Sequence, residues 1–197
     1  EIEIESGEII QLTHSDSNSI YTLSYFPQDK RILYRSDQGG NEIWHIYVQN
    51  EDGSTQDLTP GENARSLFSG WAFHEKSFYY TSNNRNPKYM DVYEMDIQSF
   101  ESKIIFQNDG ALNYADVSND GRFLALSKTH TRDNSDMYLY NVKSGELKLL
   151  SSHVGNINHS PAGFSVDSKS LYFLTDQDSE FNFLKRYNIP SGEVETI

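Results

Sequence analysis

The sequence contains no cysteine, which removes two common ways of stabilising a small domain. Disulfide bonds and cysteine-ligated zinc sites are both excluded. No apolar run approaches the roughly 18 residues needed to cross a bilayer. The first residues, EIEIESGEII, lack the basic region and apolar core of a signal peptide. These absences predict a chain without a membrane segment, but the lack of cysteine does not identify the cellular compartment.

Positive charge is also scarce. Sixteen Lys and Arg residues stand against 29 Asp and Glu residues, which gives a net charge of −13. So acidic a surface repels the phosphate backbone of nucleic acids and the headgroups of anionic lipids. The composition therefore argues against a nucleic-acid partner and against a membrane partner.

Turn residues recur along the chain at a nearly constant interval. One marker is a turn glycine, with a phenylalanine in one of its slots: Gly7, Gly53, Phe100, Gly145 and Gly192. The second marker is an acidic turn residue: Asp29, Glu75, Asp120 and Asp167. Both markers repeat about every 46 residues, and repeats of about 40 to 50 residues made of four short strands are typical of β-propeller blades. The sequence therefore predicts a propeller.

Each repeat contains four predicted strands. The first strands are expected at residues 19–26, 66–73, 113–118 and 159–165. The second strands read RILYRS, SFYYTS, RFLALS and SLYFLT. These second strands are apolar on both faces, as expected of strands that are covered on both sides. The second repeat is predicted to differ in two ways, with a first turn one residue shorter and Phe100 in the glycine slot.

The predicted fold class is all-β, a partial β-propeller of about four complete four-stranded antiparallel blades plus half of a preceding blade. The half blade is expected at residues 1–13, and the complete blades at 14–59, 60–108, 109–151 and 152–197. Residues 1–13 match only the third and fourth strands of a repeat, so the chain is interpreted as a segment of a larger propeller. Exposed blade faces and edges predict self-association.

Polar loops between the second and third strands are the first candidates for a functional surface. They are expected at residues 37–42, 83–89, 129–136 and 176–181. Because they share one phase of the repeat, we expect them on one face, available to a ligand, a partner or a second domain. The candidates are Asn83, Arg85, Arg132 and Asp176, since a guanidinium suits a carboxylate. Solvation of long loops is the alternative explanation.

No motif for catalysis or for metal binding is complete. Residues 163–167, GFSVD, approach the nucleophile elbow, but Asp167 stands where the second glycine is required, so Ser165 is predicted to be structural. Asp176, Asp178 and Glu180 alternate as calcium ligands do, without the glycine and closing glutamate of that loop. We predict no catalytic residue, no metal and no cofactor in this chain.

Histidines and tryptophans are expected to serve packing. No two histidines have the spacing of the zinc-binding motif with its glutamate. His153 follows a predicted fourth strand and His159 opens a predicted first strand. Trp44 and Trp71 occupy strand positions and are predicted to fill space between blades.

Long stretches of the sequence resemble a known family. The segments SYFPQDKRILYRSDQGGNEIWHIYV and GWAFHEKSFYYTSNNRNPKYMDVYEMD are similar to the N-terminal propeller of the prolyl oligopeptidase family of serine peptidases, which includes dipeptidyl and acylaminoacyl peptidases. The most specific segment is TSNNRNPKYMDVYEMD, residues 81–96. The resemblance covers nearly the whole chain. The turn pattern alone is also found in periplasmic propellers of the translocation-protein type.

This resemblance implies a role for the chain. In the family, the propeller caps an α/β-hydrolase domain that follows it and carries a Ser-Asp-His triad, and no residue here matches that domain. The implied role is non-catalytic: the segment would cover the active site and restrict access to short peptides. Its implied partners are a C-terminal α/β-hydrolase domain and peptide substrates.

Two alternatives are open at this stage. One is a stand-alone binding propeller that acts as a protein-interaction scaffold. The other is a propeller hydrolase that uses carboxylates in its channel, for which Asp116 is the only acid on a predicted first strand.

Overall fold

The computed structural model describes residues 2–197, and every regular element in that range is a β-strand. The strands are β1 Ile20–Tyr25, β2 Ile32–Ser36, β3 His45–Gln49, β4 Thr55–Asp57, β5 Ser66–Trp71, β6 Ser77–Ser82, β7 Asp91–Asp96, β8 Ser102–Phe106, β9 Asn113–Val117, β10 Phe123–Thr131, β11 Asn134–Asn141, β12 Leu147–Leu149, β13 His159–Phe164, β14 Ser170–Thr175, β15 Phe183–Asn188 and β16 Val194–Thr196. No helix in this range is long and apolar enough to cross a membrane.

The sixteen strands form four separate four-stranded antiparallel sheets, each in simple chain order. The sheets are β1–β4, β5–β8, β9–β12 and β13–β16. Each first strand pairs with the second, the second with the third and the third with the fourth. This arrangement confirms the predicted fold class, an all-β partial propeller. The blade boundaries by residue number stay a prediction.

A hairpin turn like those between the third and fourth strands lies at the N-terminus, among the residues expected to form the half blade. The Gly7 N–H donates to the carbonyl of Glu3 at 2.8 Å, as the Gly145 N–H does to the carbonyl of Asn141 in the third sheet. Ile2 and Ile9, on the two sides of this turn, form one antiparallel bridge. The turn geometry of a third-to-fourth strand hairpin is therefore retained outside the four sheets.

The second strand of the third sheet shows how the apolar runs are buried. Leu124 and Leu126 on β10 belong to one core cluster, whereas Ala125 between them belongs to another. Successive residues of a strand point to opposite faces. The run RFLALS therefore packs on both sides, as predicted, and burial of both faces stabilises the sheet through the hydrophobic effect.

A left-handed backbone conformation explains the glycine marker. Gly53, Gly145 and Gly192 have φ values of 82°, 74° and 76°, and Phe100 takes the same region with φ 57°. Glycine is favoured there because it has no Cβ to clash with the following carbonyl. Phe100 thus occupies the equivalent slot without shifting the repeat.

The first turns of the four sheets can be compared through the backbone hydrogen bonds that close them. A backbone hydrogen bond closes the first turn in every sheet over the same number of residues, Phe26 to Arg31 in the first sheet and Ala72 to Ser77 in the second. The expectation of a shorter turn in the second repeat is therefore wrong.

Within this turn, Asp120 and Glu75 are not equivalent. Glu75 has φ 58°, the left-handed position that Gly121 holds in the third sheet with φ 69°. The position of Asp120 is taken in the second sheet by His74, whose Nδ1 accepts from the Lys76 N–H at 3.1 Å. Asp120 accepts from the Arg122 N–H at 3.0 Å in the same way. Aligning the acidic side chains misplaced the second repeat by one residue.

The expected loop at residues 129–136 is mostly strand. β10 and β11 continue their pairing to Thr131 and Asn134, with a bulge after Thr129. Only Arg132 and Asp133 connect the two strands. Thr129 and Thr131 are β-branched residues, which favour the extended conformation and outweigh the polar composition of this segment. The third sheet therefore carries a longer hairpin than the sequence predicted.

The chain divides into two compact units. One comprises residues up to Phe68 together with Ser82–Pro87, and the other comprises Ser69–Thr81 together with Lys88–Ile197. In the first unit, Leu33, Ile46 and Val48 are fully buried. In the second unit, the two core clusters described above hold the sheets together.

Candidate functional site

The loops predicted to form a functional face begin with a hydrogen bond that recurs in three sheets. Asp37 Oδ1 accepts from the Ser19 N–H at 2.7 Å, and Asn83 Oδ1 accepts from the Arg65 N–H at 2.6 Å. Asp176 Oδ1 accepts from the Asn158 N–H at 2.8 Å. Each acceptor follows its donor by 18 residues. We call this bond the entry clamp, because it joins the start of a first strand to the end of the second.

The entry clamp gives two of the predicted site residues a structural contact. Asn83 and Asp176 are both half-buried, and each holds backbone with its side-chain oxygen. Arg85, two residues after Asn83, is exposed. This role was not predicted from the sequence, although a polar side chain recurs 18 residues after the start of each of these first strands.

Arg132 lies at the tip of the long β10–β11 hairpin and is exposed. Its carbonyl accepts from Asn158 Nδ2 at 3.4 Å, and Asp133 beside it accepts from Asn156 Nδ2 at 2.9 Å. The tip is thus attached to the segment before β13. Whether the four loops share one face stays a prediction.

A third arginine, Arg35, lies against two aromatic rings and was not predicted from the sequence as a site residue. The Arg35 Cζ atom lies 4.8 Å from the ring centre of Tyr21 and 4.9 Å from that of Trp44. The two rings meet edge to face, 5.3 Å apart. Tyr21 is the direct cross-strand partner of Arg35 between β1 and β2. Trp44 therefore packs on a charged group rather than only filling space.

The Arg35 guanidinium is held by these rings and not by an acid. Its Nε atom is buried without a hydrogen-bond acceptor, and no carboxylate among residues 2–197 pairs with the side chain. The only early signal was an arginine inside the otherwise apolar run RILYRS.

Two histidines lie against Asp136, and a third stacks on one of them. His130 Nε2 lies 2.8 Å from Asp136 Oδ2, and His153 Nε2 lies 3.6 Å from Oδ1. The His153 ring stacks on that of His159 at 5.3 Å. Burial raises the pKa of Asp136. The hydrogen bond and charge of His130, together with the charge of His153, lower it by more than burial raises it, so the net pKa lies below its ordinary value. Burial, with the neighbouring His153, lowers the pKa of His159.

This cluster is not arranged for nucleophilic catalysis. The nearby Ser151 Oγ accepts from the Met137 N–H at 2.7 Å and lies 3.4 Å from Asp136, so it faces backbone and acid rather than a histidine. A nucleophilic serine requires a hydrogen bond to a base. Across the described range, no group of three or more His, Asp or Glu side chains is placed to hold a metal ion.

A half-buried carboxylate, Glu94, lines two cavities of the second unit. Glu94 accepts from Ser77 Oγ at 2.6 Å and pairs with Lys103 Nζ at 2.9 Å. It borders two cavities, of about 490 Å³ and about 360 Å³. Burial raises the pKa of Glu94, but the contacts from Lys103 and Ser77 outweigh it, and the net pKa is below its ordinary value. Tyr79 lines the larger cavity, and burial raises its pKa to about 12.

Two further residues considered for catalysis have structural contacts. Asp116 Oδ2 accepts from the Phe164 N–H at 2.8 Å, which links β9 to β13. Ser165 Oγ donates to Asp167 at 2.6 Å and accepts from the Ser170 N–H at 3.0 Å. Both side chains therefore contribute to turns and strand contacts.

Comparison with known proteins connects this architecture to a family. Residues 12–193 match the family described as prolyl oligopeptidase, N-terminal beta-propeller domain. The chain belongs to this family. The match includes the first three sheets and β13–β15 of the fourth, and it agrees with the resemblance found in the sequence.

The similar proteins include peptidases and a protein of the Tol-Pal system. Dipeptidyl aminopeptidase BIII of Pseudoxanthomonas mexicana is 22% identical over 185 residues, covering 92% of this chain and 27% of the relative. The Tol-Pal system protein TolB of Wolinella succinogenes is 31% identical over 114 residues, covering 57% of this chain and 25% of the relative. A solved prolyl endopeptidase structure superposes with a TM-score of 0.68 at 15% identity, covering 94% of this chain and 29% of that one. This structural likeness shows a shared fold.

The chain spans about a quarter of the length of the curated relatives that it matches, 27% of one and 25% of the other. Its match to the family is to the propeller domain.

Proposed function

We propose that this chain is the substrate-gating part of a serine peptidase, a propeller segment that covers the active site of a separate α/β-hydrolase domain. The observation that carries the proposal is the family match over residues 12–193. The names of a dipeptidyl aminopeptidase and a prolyl endopeptidase among the relatives support it.

The physical basis of gating is size exclusion by stiff walls. The second strand of the second sheet is buried along its whole length, and that of the third sheet packs on both faces. Densely packed strands of this kind resist deformation. An opening bounded by such sheets admits an extended peptide but excludes a folded domain. The segment would control which substrates reach the active site, and its partner domain would catalyse the hydrolysis.

Within this role, the exposed arginines are the proposed contacts to the hydrolase domain. Arg85 and Arg132 are both exposed, in a chain with a large excess of acid. A guanidinium can meet a carboxylate of a partner with two parallel hydrogen bonds. Asn83 and Asp176 would support these loops through the entry clamp.

The gating proposal is tested on the whole parent protein. We expect it to cleave a short chromogenic peptide and to spare the same cleavage sequence placed inside a stably folded domain. We also expect the isolated chain of 197 residues to cleave neither substrate. Cleavage by the isolated chain, or equal cleavage of peptide and folded domain by the parent, would refute the proposal.

A second candidate is a stand-alone binding propeller that acts as a scaffold. The 31% identity to a TolB protein over 114 residues favours it. The coding sequence beyond Ile197 distinguishes the two: a G-x-S-x-G motif followed by Asp and His indicates the peptidase. A stop codon or a further repeat array indicates the scaffold.

A further inference from the structure

The enclosed Arg35 differs from the arginines that stabilise turns. Arg31 pairs with Asp29 at 2.8 Å, and Arg122 pairs with Asp120 at 2.7 Å. Arg35 has no such partner in residues 2–197, although acidic residues outnumber basic ones by 29 to 16. A half-buried cation in this acidic chain is therefore left without an acid of its own.

The contacts around Arg35 restrict which edge of the guanidinium could meet a ligand. Tyr21 and Trp44 lie against the guanidinium, and the Nε atom is buried. A stacked guanidinium can still donate from its edge, because its N–H groups lie in its plane. With Nε closed off, the two terminal Nη groups form the end that could meet an anion. Two Nη groups match the two oxygens of a carboxylate.

The aromatic walls also favour a particular kind of anion. Tyr21 is 51% exposed, so one wall presents apolar ring surface beside the charge. Aromatic surface stabilises an adjacent apolar side chain, whereas a small inorganic anion gains nothing from it. The rings also fix the guanidinium before binding, which lowers the entropy lost on association.

We propose that Arg35, between Tyr21 and Trp44, binds the C-terminal carboxylate of a short peptide. This inference rests on the proposed function, which would bring short peptides to this protein. The carboxylate would meet the Nη groups end-on, and the last side chain of the peptide would lie against the exposed ring of Tyr21. The site would thereby favour peptides with a free C-terminus.

The two tryptophans allow a direct test on the isolated chain. Trp44 lies beside Arg35, whereas Trp71 packs edge to face on Phe78 at 5.6 Å. In a ¹H–¹⁵N NMR spectrum each indole N–H gives one peak, and a Trp71→Phe variant assigns them. We expect acetyl-Gly-Ala-Ala with a free C-terminus to shift the Trp44 peak and leave the Trp71 peak in place. The same peptide as a C-terminal amide should shift neither.

A third peptide distinguishes binding of a C-terminal carboxylate from binding of a side-chain carboxylate. Acetyl-Gly-Asp-Ala-amide carries the acid on a side chain and has no free C-terminus. We expect it to bind more weakly than the free C-terminal acid by about tenfold or more, because its backbone cannot follow the same path past Tyr21. Equal or tighter binding of this peptide would overturn the assignment to a C-terminus.

Variants of the arginine provide the second test. Arg35→Met keeps the apolar stem but removes the donors, and Arg35→Lys keeps the charge without the planar fork. We expect the first to abolish the Trp44 shift and the second to weaken binding by about tenfold or more. Arg122→Met, at an exposed arginine that pairs with Asp120 in a turn of the third sheet, is the matched control and should bind as the unmodified chain does. An unchanged Trp71 peak verifies that each variant is folded.

Three further results would overturn the proposal: equal shifts from acid and amide peptides, retention of the shift in Arg35→Met, or no Trp44 shift at ~10 mM peptide. That concentration fills even a site with a Kd of ~1 mM. These readouts measure binding without catalysis. A failure of gating in the parent protein would leave a positive binding result intact, and a negative binding result would leave gating open to its own test.

Discussion

At the residue scale, the side chains with the clearest energetic consequences are buried polar groups that have partners. Glu94 has a side chain that is 17% exposed, and it is satisfied by Ser77 and by Lys103, which is itself 69% exposed. A buried carboxylate is tolerated only when hydrogen bonds replace its water. The net lowering of the pKa of Glu94 shows that these contacts outweigh the cost of burial.

Replacing Glu94 by Gln should therefore lower stability in a pH-dependent way. The folded state holds the pKa of Glu94 below the unfolded value, so the stabilisation is present above that unfolded value, near pH 4.5, and is lost as the pH falls through the folded pKa. We expect a loss of about 1 kcal/mol in the free energy of unfolding at pH 7. Urea denaturation at pH 7 and at pH 3.5 measures it.

The matched control for this prediction is Glu101→Gln. Glu101 is an exposed acid on the same rim, and its replacement should change stability little at either pH. A Glu94→Gln effect that is the same size at both pH values would show that packing, rather than the charge of the carboxylate, supports this region.

At the scale of elements, three of the four sheets join the start of the first strand to the end of the second through one side-chain hydrogen bond. The entry clamp does this with Asp37, Asn83 and Asp176. The acceptor is a carboxylate in two sheets and an amide in the other, so the shared requirement is an oxygen at the right position and not a charge. This separates a structural role from the functional role that the sequence suggested for Asn83 and Asp176.

Substitution of Asp176 distinguishes the two roles. Asp176→Ala should lower the free energy of unfolding by about 1 kcal/mol, because the Asn158 N–H loses its acceptor. Asp176→Asn should remain close to the unmodified chain, because Asn83 performs the same task in the second sheet. Chemical denaturation of both variants measures the difference. Equal losses would mean that the negative charge of Asp176, and not its oxygen, stabilises the sheet.

At the scale of the whole molecule, the fourth sheet has two unlike faces. Leu171 and Phe173 on β14 belong to a buried core cluster. Leu174 and its cross-strand partner Leu184 are 40% and 38% exposed. An apolar pair left open on a sheet face favours contact with another apolar surface. The predicted self-association would bury this face against a second copy of the chain.

Leu184→Lys should therefore weaken self-association of the isolated chain. A charge on this face loses its hydration if the face is buried against another copy, so we expect the variant to remain monomeric at concentrations where the unmodified chain associates. Sedimentation equilibrium over a range of concentrations measures this. The control is Leu147→Lys on β12, which is 43% exposed but lies on an outer strand. Dimers that persist in Leu184→Lys would place the contact elsewhere.

The fold could be predicted from sequence because its information is local and repeated. Runs such as RFLALS indicate burial on both faces of a strand. A glycine such as Gly145 indicates a position with a left-handed backbone conformation. Prediction was wrong where local composition competed with pairing. The segment around Arg132 is polar, yet strand pairing extends to Thr131 because neighbouring strands supply hydrogen bonds that composition does not record.

The candidate sites were less predictable, since they depend on which residues face each other. Asn83 and Arg65, or Asp176 and Asn158, lie 18 residues apart, and only the register of the sheet makes them partners. The enclosure of Arg35 likewise requires Tyr21 directly across from it, in a strand that contains a bulge one residue later. A bulge shifts every later pairing, and its position was not evident from the residue pattern.

The sequence by itself determined the repeat, the strand order and the family, because periodic turns and two-sided apolar strands constrain each repeat in the same way wherever it occurs. Tertiary structure alone decided which polar groups acquired partners and which did not. Hydrogen bonds and aromatic contacts depend on distances of a few ångströms between segments far apart in the chain. Those distances exist only after the sheets have formed, so the entry clamp and the acid-free Arg35 became visible only there.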